Sequence, residues 1–196
     1  MRKCANAIGM IALAVLLASP AAAQQRRRAA APRPVPDRGM NAVGVQIGAG
    51  MPADVALKNG IDLTGTLEHY FSQRVSFRGA VSGAWFDIFG HSFDGTVSPV
   101  ALDGNVVYNW EGGAWHPYVT GGLGLYHYRF TEAGLASTQN KLGIDLGGGV
   151  EYFFTRRDTL LGEALVHVIP GDDLSGTRAG YQAGYWSLSG GYKKYF

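Results

Sequence analysis

The 196-residue chain contains a single cysteine, Cys4, and none after its N-terminal segment, so no disulfide framework can carry the fold. Long apolar runs are also missing. From Met40 to Phe196 no stretch approaches the roughly 18 apolar residues that mark a membrane-spanning helix. Basic clusters are absent beyond residue 38. Of the 17 Lys and Arg residues, two fall in residues 1–23 and five in residues 24–38, which leaves 10 against 14 acids from Gly39 onward, a net of about −4. That distribution offers no electrostatic footprint for nucleic acid. The five histidines (His69, His91, His116, His127, His167) are scattered, so no metal centre is expected, and Asp172 with Asp173 reads as a solvated loop pair. The Gly-rich runs lead into no helix and so do not make phosphate cradles. No cofactor is expected.

What is present begins with a three-part leader. Arg2 and Lys3 precede an apolar run from about Ala7 to Ala18, and Ala21 and Ala23 supply a small-x-small cleavage site. Residues 1–23 therefore read as a signal peptide. Residues 24–40 follow as a disordered tether with five arginines, three prolines and almost nothing to bury.

Residues 41–196 then show segments of about ten residues that alternate apolar with small or polar, the signature of a transmembrane β-barrel. Eight segments are read: 41–50, 60–71, 75–86, 97–110, 117–130, 141–154, 159–169 and 185–196. The fold class expected is all-β, an eight-stranded antiparallel transmembrane β-barrel. A side-chain period of two sends one set to lipid and the other to the interior. Val43, Val45 and Ile47 face one way and Gly44 and Gln46 the other; Ile61, Leu63 and Leu67 oppose Asp62, Thr64 and Glu68. Every acid within these segments falls opposite the large aliphatics, as expected where a charge on the lipid face costs about 2–4 kcal/mol.

Links after the second, fourth and sixth segments are short, and those at 51–59, 87–96, 131–140 and 170–184 are longer. This asymmetry matches short periplasmic turns and longer outer loops, and places both termini in the periplasm. Aromatics gather near segment ends and read as two interfacial girdles. One comprises Phe71, Trp110, Tyr118, Tyr152, Phe153, Phe154, Tyr195 and Phe196; the other comprises Trp85, Phe86, Tyr126, Tyr128, Phe130, Tyr185 and Trp186.

Three stretches carry a family likeness: Pro117-Tyr118-Val119-Thr120-Gly121-Gly122-Leu123-Gly124, Leu146-Gly147-Gly148-Gly149-Val150-Glu151-Tyr152-Phe153, and the terminal Phe196. With them the chain resembles the small eight-stranded outer-membrane β-barrel proteins of Gram-negative bacteria, the opacity-protein and OmpA-barrel-like group of the porin family. The resemblance implies a monomer in the cell outer membrane, among outer-membrane lipids and lipopolysaccharide. It also implies insertion by the barrel-assembly machinery, with Tyr192 and Phe196 as the assembly signal. Lys194 departs from the closing pattern, which has an apolar residue there, and its chain is expected to snorkel to water.

The interior set contains Asp62, Glu68, Asp103, Asp145, Glu151 and Glu163 against Arg78 and Lys193. Eight strands leave a lumen just wide enough for side chains to fill, so these groups are expected to form a polar network. The function expected is structural or surface-interacting. The alternative is a narrow channel for small, preferably cationic solutes. His127 and Arg129 near the outer rim are candidate contacts for lipopolysaccharide phosphates. A lipid A-modifying enzyme is a weaker reading, since the His-x-Ser-Asn motif of the deacylases is missing after both His127 and His167. No enzyme activity is expected.

Overall fold

The computed structural model describes residues 36–54, 57–88, 95–110, 113–132, 135–170 and 183–196. The leader and most of the tether, as well as His91, Asp172 and Asp173, lie outside the described residues. Eight strands run in chain order: β1 (Asn41–Pro52), β2 (Gly60–Tyr70), β3 (Val75–Asp87), β4 (Gly95–Asn109), β5 (Trp115–Glu132), β6 (Leu135–Phe153), β7 (Asp158–Val168) and β8 (Tyr185–Tyr195). All neighbours are antiparallel, and β8 returns to β1 to close the barrel. Closure removes the free edges that a lipid environment cannot satisfy.

The two ends of the barrel segment meet at one rim. Asn41 and Phe196 exchange backbone hydrogen bonds of 2.9 Å in both directions. Three tight connections share this terminal rim, and local chemistry explains them. Ser72 Oγ accepts from the backbone N–H of Arg74 at 3.2 Å and of Val75 at 3.0 Å, and Thr155 Oγ1 accepts from Arg157 at 3.2 Å and Asp158 at 3.0 Å. Gly113, between β4 and β5, has a φ of 84°, which glycine alone adopts without a Cβ penalty.

The face alternation runs through the strands and lapses at the distal end of β6, where Ala136, Ser137 and Thr138 are all exposed. Ile47, Leu67, Leu102, Leu123, Leu142 and Leu188 all point outward and form an apolar belt, while the six interior acids are buried. So large an exposed apolar surface fits hydrocarbon, not water. Lys194 lies at the terminal rim, largely exposed, with Nζ 3.9 Å from Asp158 Oδ1.

Two expectations require correction. Much of 131–140 belongs to the ladder: Phe130 pairs with Ser137, Thr131 with Ala136 and Glu132 with Leu135, so β6 extends past β7, while β5 stays paired with β4 as far as Gly95 and Glu132. Residues 136–140 carry no large aliphatic because they lie beyond the apolar belt, and their polarity mimics a loop. The girdles are also thinner than expected. Tyr118, Phe153, Tyr195, Phe86, Tyr126, Tyr128, Phe130 and Tyr185 are buried inside, whereas Phe71, Trp110, Tyr152, Phe154, Phe196, Trp85 and Trp186 face outward. Period two makes the reason plain: Tyr126, Tyr128 and Phe130 share parity with Thr120, already an interior position.

Candidate functional site in the barrel lumen

The inward aromatics gather in two layers. At the terminal rim Tyr70, Phe153 and Tyr195 pack with Ala42, and the Tyr70 and Tyr195 hydroxyls are 3.0 Å apart. His116 packs against Phe153 at a tilt, with centroids 4.8 Å apart. At the distal rim Phe86, Tyr126, Tyr128, Phe130 and Tyr185 cluster with Val97 and Ile169, and the Tyr128 hydroxyl donates to the Ala183 carbonyl.

Between these layers the sequence-predicted charges form two groups. Nearer the terminal rim, Arg78 from β3 and Lys193 from β8 are shared among three glutamates. Glu68 accepts from Arg78 Nε at 3.2 Å and from Lys193 Nζ at 2.7 Å, and Ser76 donates to its other oxygen. Arg78 Nη1 bonds Glu163, which also accepts from the Tyr118 hydroxyl at 2.7 Å and from Gln46 Nε2 at 3.4 Å. Lys193 Nζ and the Tyr195 hydroxyl both donate to Glu151. The Arg78 guanidinium lies 5.1 Å from the Tyr118 ring centroid, adding a cation–π contact. Each cation thus bridges two anions, which is how buried charges offset their desolvation.

The second group lies toward the distal rim. Asp145 Oδ1 accepts from the Tyr126 hydroxyl and lies 2.7 Å from His167 Nδ1. His167 Nε2 lies 3.3 Å from Ser187 Oγ, and its ring stacks on Tyr185 at 4.1 Å. Asp62 accepts from Thr64 Oγ1 at 3.2 Å. A void of about 20 Å³ separates the two groups, lined among others by Arg78, Ser82, Asp103, Asn105, Thr120 and Asp145. That is room for one or two water molecules.

The sequence reading put all eight network residues on the interior faces, and Ser187 on the same face of its strand as Lys193, but it did not foresee the meeting of Ser187 with His167. Its approach to His167 joins β7 to β8, which the His-x-Ser spacing of a local motif cannot reveal. Ser187, His167 and Asp145 have the connectivity of a nucleophile relay. Their surroundings differ from an acyl-transfer site: the adjoining void does not admit an acyl chain, and the strand N–H groups there are engaged in the ladder. His127 and Arg129 lie together on the outside of β5, and His127 Nδ1 is 2.7 Å from Asn140 Oδ1 on β6.

A family described as outer membrane protein beta-barrel domain matches residues 10–193. Among solved structures, Neisserial surface protein A is 17% identical with a TM-score of 0.61, covering 81% of this chain and 100% of its own. The outer membrane protein OprG from Pseudomonas aeruginosa is 14% identical with a TM-score of 0.63, covering 84% and 99%. Ail, the attachment invasion locus protein of Yersinia pestis, solved with the heparin analogue sucrose octasulfate, is 13% identical with a TM-score of 0.53, covering 80% and 99%. No curated protein sequence matches the chain. At these identities the likeness to solved structures is one of fold.

Proposed function

Because the chain belongs to the outer membrane protein beta-barrel domain family, we propose that it is a monomeric outer-membrane protein with a sealed lumen, working through its surface. Both termini face the periplasm in this reading. The observation that carries it is the packing of the lumen: two aromatic layers enclose a continuous ion-pair network, leaving a void of about 20 Å³. In planar bilayers the purified barrel is expected to give no conductance steps. The six interior acids against Arg78 and Lys193 favour the second reading, a narrow cation path. Cation-selective steps that change when Lys193 is replaced by methionine would establish that path in place of the sealed barrel.

The surface role centres on the distal rim. His127 and Arg129 stand side by side on the outward face, where lipopolysaccharide phosphates would lie. The double variant H127A/R129A is expected to retain lipopolysaccharide about fivefold less well, the equivalent of about 1 kcal/mol. Unchanged retention would leave these residues as ordinary rim groups. At the other rim, Tyr192 on the last strand and Phe196 just beyond its end face outward, the position from which they would engage the barrel-assembly machinery. Catalysis is not part of this reading, and Ser187 is expected to resist fluorophosphonate labelling.

A further inference from the structure

Asp103 and Asp145 present an arrangement that the ion-pair network does not resolve. Asp103 Oδ1 and Asp145 Oδ2 are both buried and have no hydrogen-bond partner among the described groups. They converge on one spot, the hollow above Gly124 on β5. A Cβ placed on Gly124 would lie 2.2 Å from Asp103 Oδ1 and 3.1 Å from Asp145 Oδ2. Two acceptor oxygens so placed repel unless a proton lies between them.

The other groups facing the pair do not supply that proton. From β2, Asp62 adds a third carboxyl; from β3, Arg78 is engaged by Glu68 and Glu163; from β7, Glu163 is engaged by Arg78. Tyr126 from β5 and His167 from β7 both meet Asp145 through Oδ1, leaving Oδ2 unserved, and Tyr185 from β8 stacks on His167.

We propose that Asp103 is a neutral carboxylic acid in the folded barrel, donating its proton from Oδ1 to Asp145 Oδ2. Asp145 is then a single anion with three donors: the Asp103 acid, the Tyr126 hydroxyl and the Nδ1–H of His167. His167 then presents Nδ1–H to Asp145, with Nε2 3.3 Å from Ser187 Oγ. One bound proton thus ties together β4, β5, β6, β7 and β8, and explains why Ser187 and His167 adopt a relay geometry with no room for a substrate. Ser82, Asn105 and Thr120 line the void beside the pair with further unpartnered oxygens, a setting suited to water donors.

Infrared spectroscopy of the folded barrel at neutral pH tests this directly. The parent is expected to show the carbonyl stretch of a neutral carboxylic acid, shifting when aspartate carboxyl carbons are isotopically labelled, which needs no substitution. The band should vanish in Asp103→Asn and persist in Asp62→Asn. Asp103→Asn carries its own N–H donor in place of the acid proton, so its heat-resistant gel mobility should match the parent within a few degrees. Asp145→Asn removes the common acceptor and should melt earlier. The proposal fails if the parent lacks the band, if the band survives Asp103→Asn or disappears in Asp62→Asn, or if both isosteric variants melt alike. A parent stabilised by sodium over choline and lacking the band would show a bound cation in place of the proton.

Discussion

Arg78→Met is expected to cost the barrel about 3–5 kcal/mol, the range found when one member of a buried ion pair is removed. Arg78 is 2% exposed and connects Glu68 to Glu163, so its loss leaves three buried glutamates with Lys193 alone. Lys193 reaches Glu68 and Glu151; Glu163 would be left with neutral donors from Tyr118 and Gln46. The stranded carboxylate, more than the lost attraction, sets the magnitude. Methionine keeps much of the packing volume over Tyr118, so the effect is electrostatic in origin. Urea unfolding in lipid vesicles measures it through Trp85, Trp110, Trp115 and Trp186, all outward-facing reporters of the membrane. Arg78→Met combined with Glu163→Gln should recover a substantial part of the loss, because the second substitution removes the uncompensated charge. A single-variant cost below about 1 kcal/mol would mean that water already screens this part of the lumen.

The residues of that network were legible in the sequence, but their partners were not. Period two assigns a side chain to the inside or the outside, and it placed Asp62, Glu68, Arg78, Asp103, Asp145, Glu151, Glu163 and Lys193 correctly. It says nothing about height along the barrel axis, or about which side chains meet across it. Lys193 and Glu68 meet at 2.7 Å from positions 125 apart in the chain, and only the closed register brings them level. The same gap explains Ser187, an ordinary strand serine until β8 sets it against His167. The aromatics illustrate a different limit. Clustering near strand ends is shared by lipid girdles and by interior closures, and parity alone separates Trp186 outside from Tyr185 inside. The β5–β6 extension was hidden because its residues no longer face hydrocarbon, so the outward half of the alternation loses its large aliphatics.

Closure of the β1–β8 seam should fail altogether when a β-branched side chain is placed on its inner face, as in Gly191→Val or Gly48→Val. Four successive inner rungs of this seam set a glycine against a larger or polar side chain: Gly44 against Lys193, Gln46 against Gly191, Gly48 against Ser189, Gly50 against Ser187. The pattern follows from how closely the two strands approach. A Cβ at Gly191 would lie 2.1 Å from the Val45 carbonyl oxygen and 2.8 Å from Gln46 Cα; at Gly48 it would lie 2.1 Å from the Leu188 carbonyl oxygen. These obstacles are backbone atoms held in the ladder, so they can yield only by breaking ladder hydrogen bonds, and within hydrocarbon each unsatisfied group costs several kcal/mol. The seam also joins the first and last strands, the pairing with the largest loop to close, so little else holds the strands while a misfit relaxes. Expression of either valine variant should therefore yield no heat-modifiable species and full protease sensitivity. Gly190→Ala, on the outer face of the same strand with its nearest neighbour at 3.6 Å, should assemble like the parent, as should Gly65→Ala and Gly79→Ala, whose Cβ positions meet nothing within 4 Å. A Gly191→Val barrel with parental mobility would show that the seam has slack, and that the small residues there do not determine which strands meet.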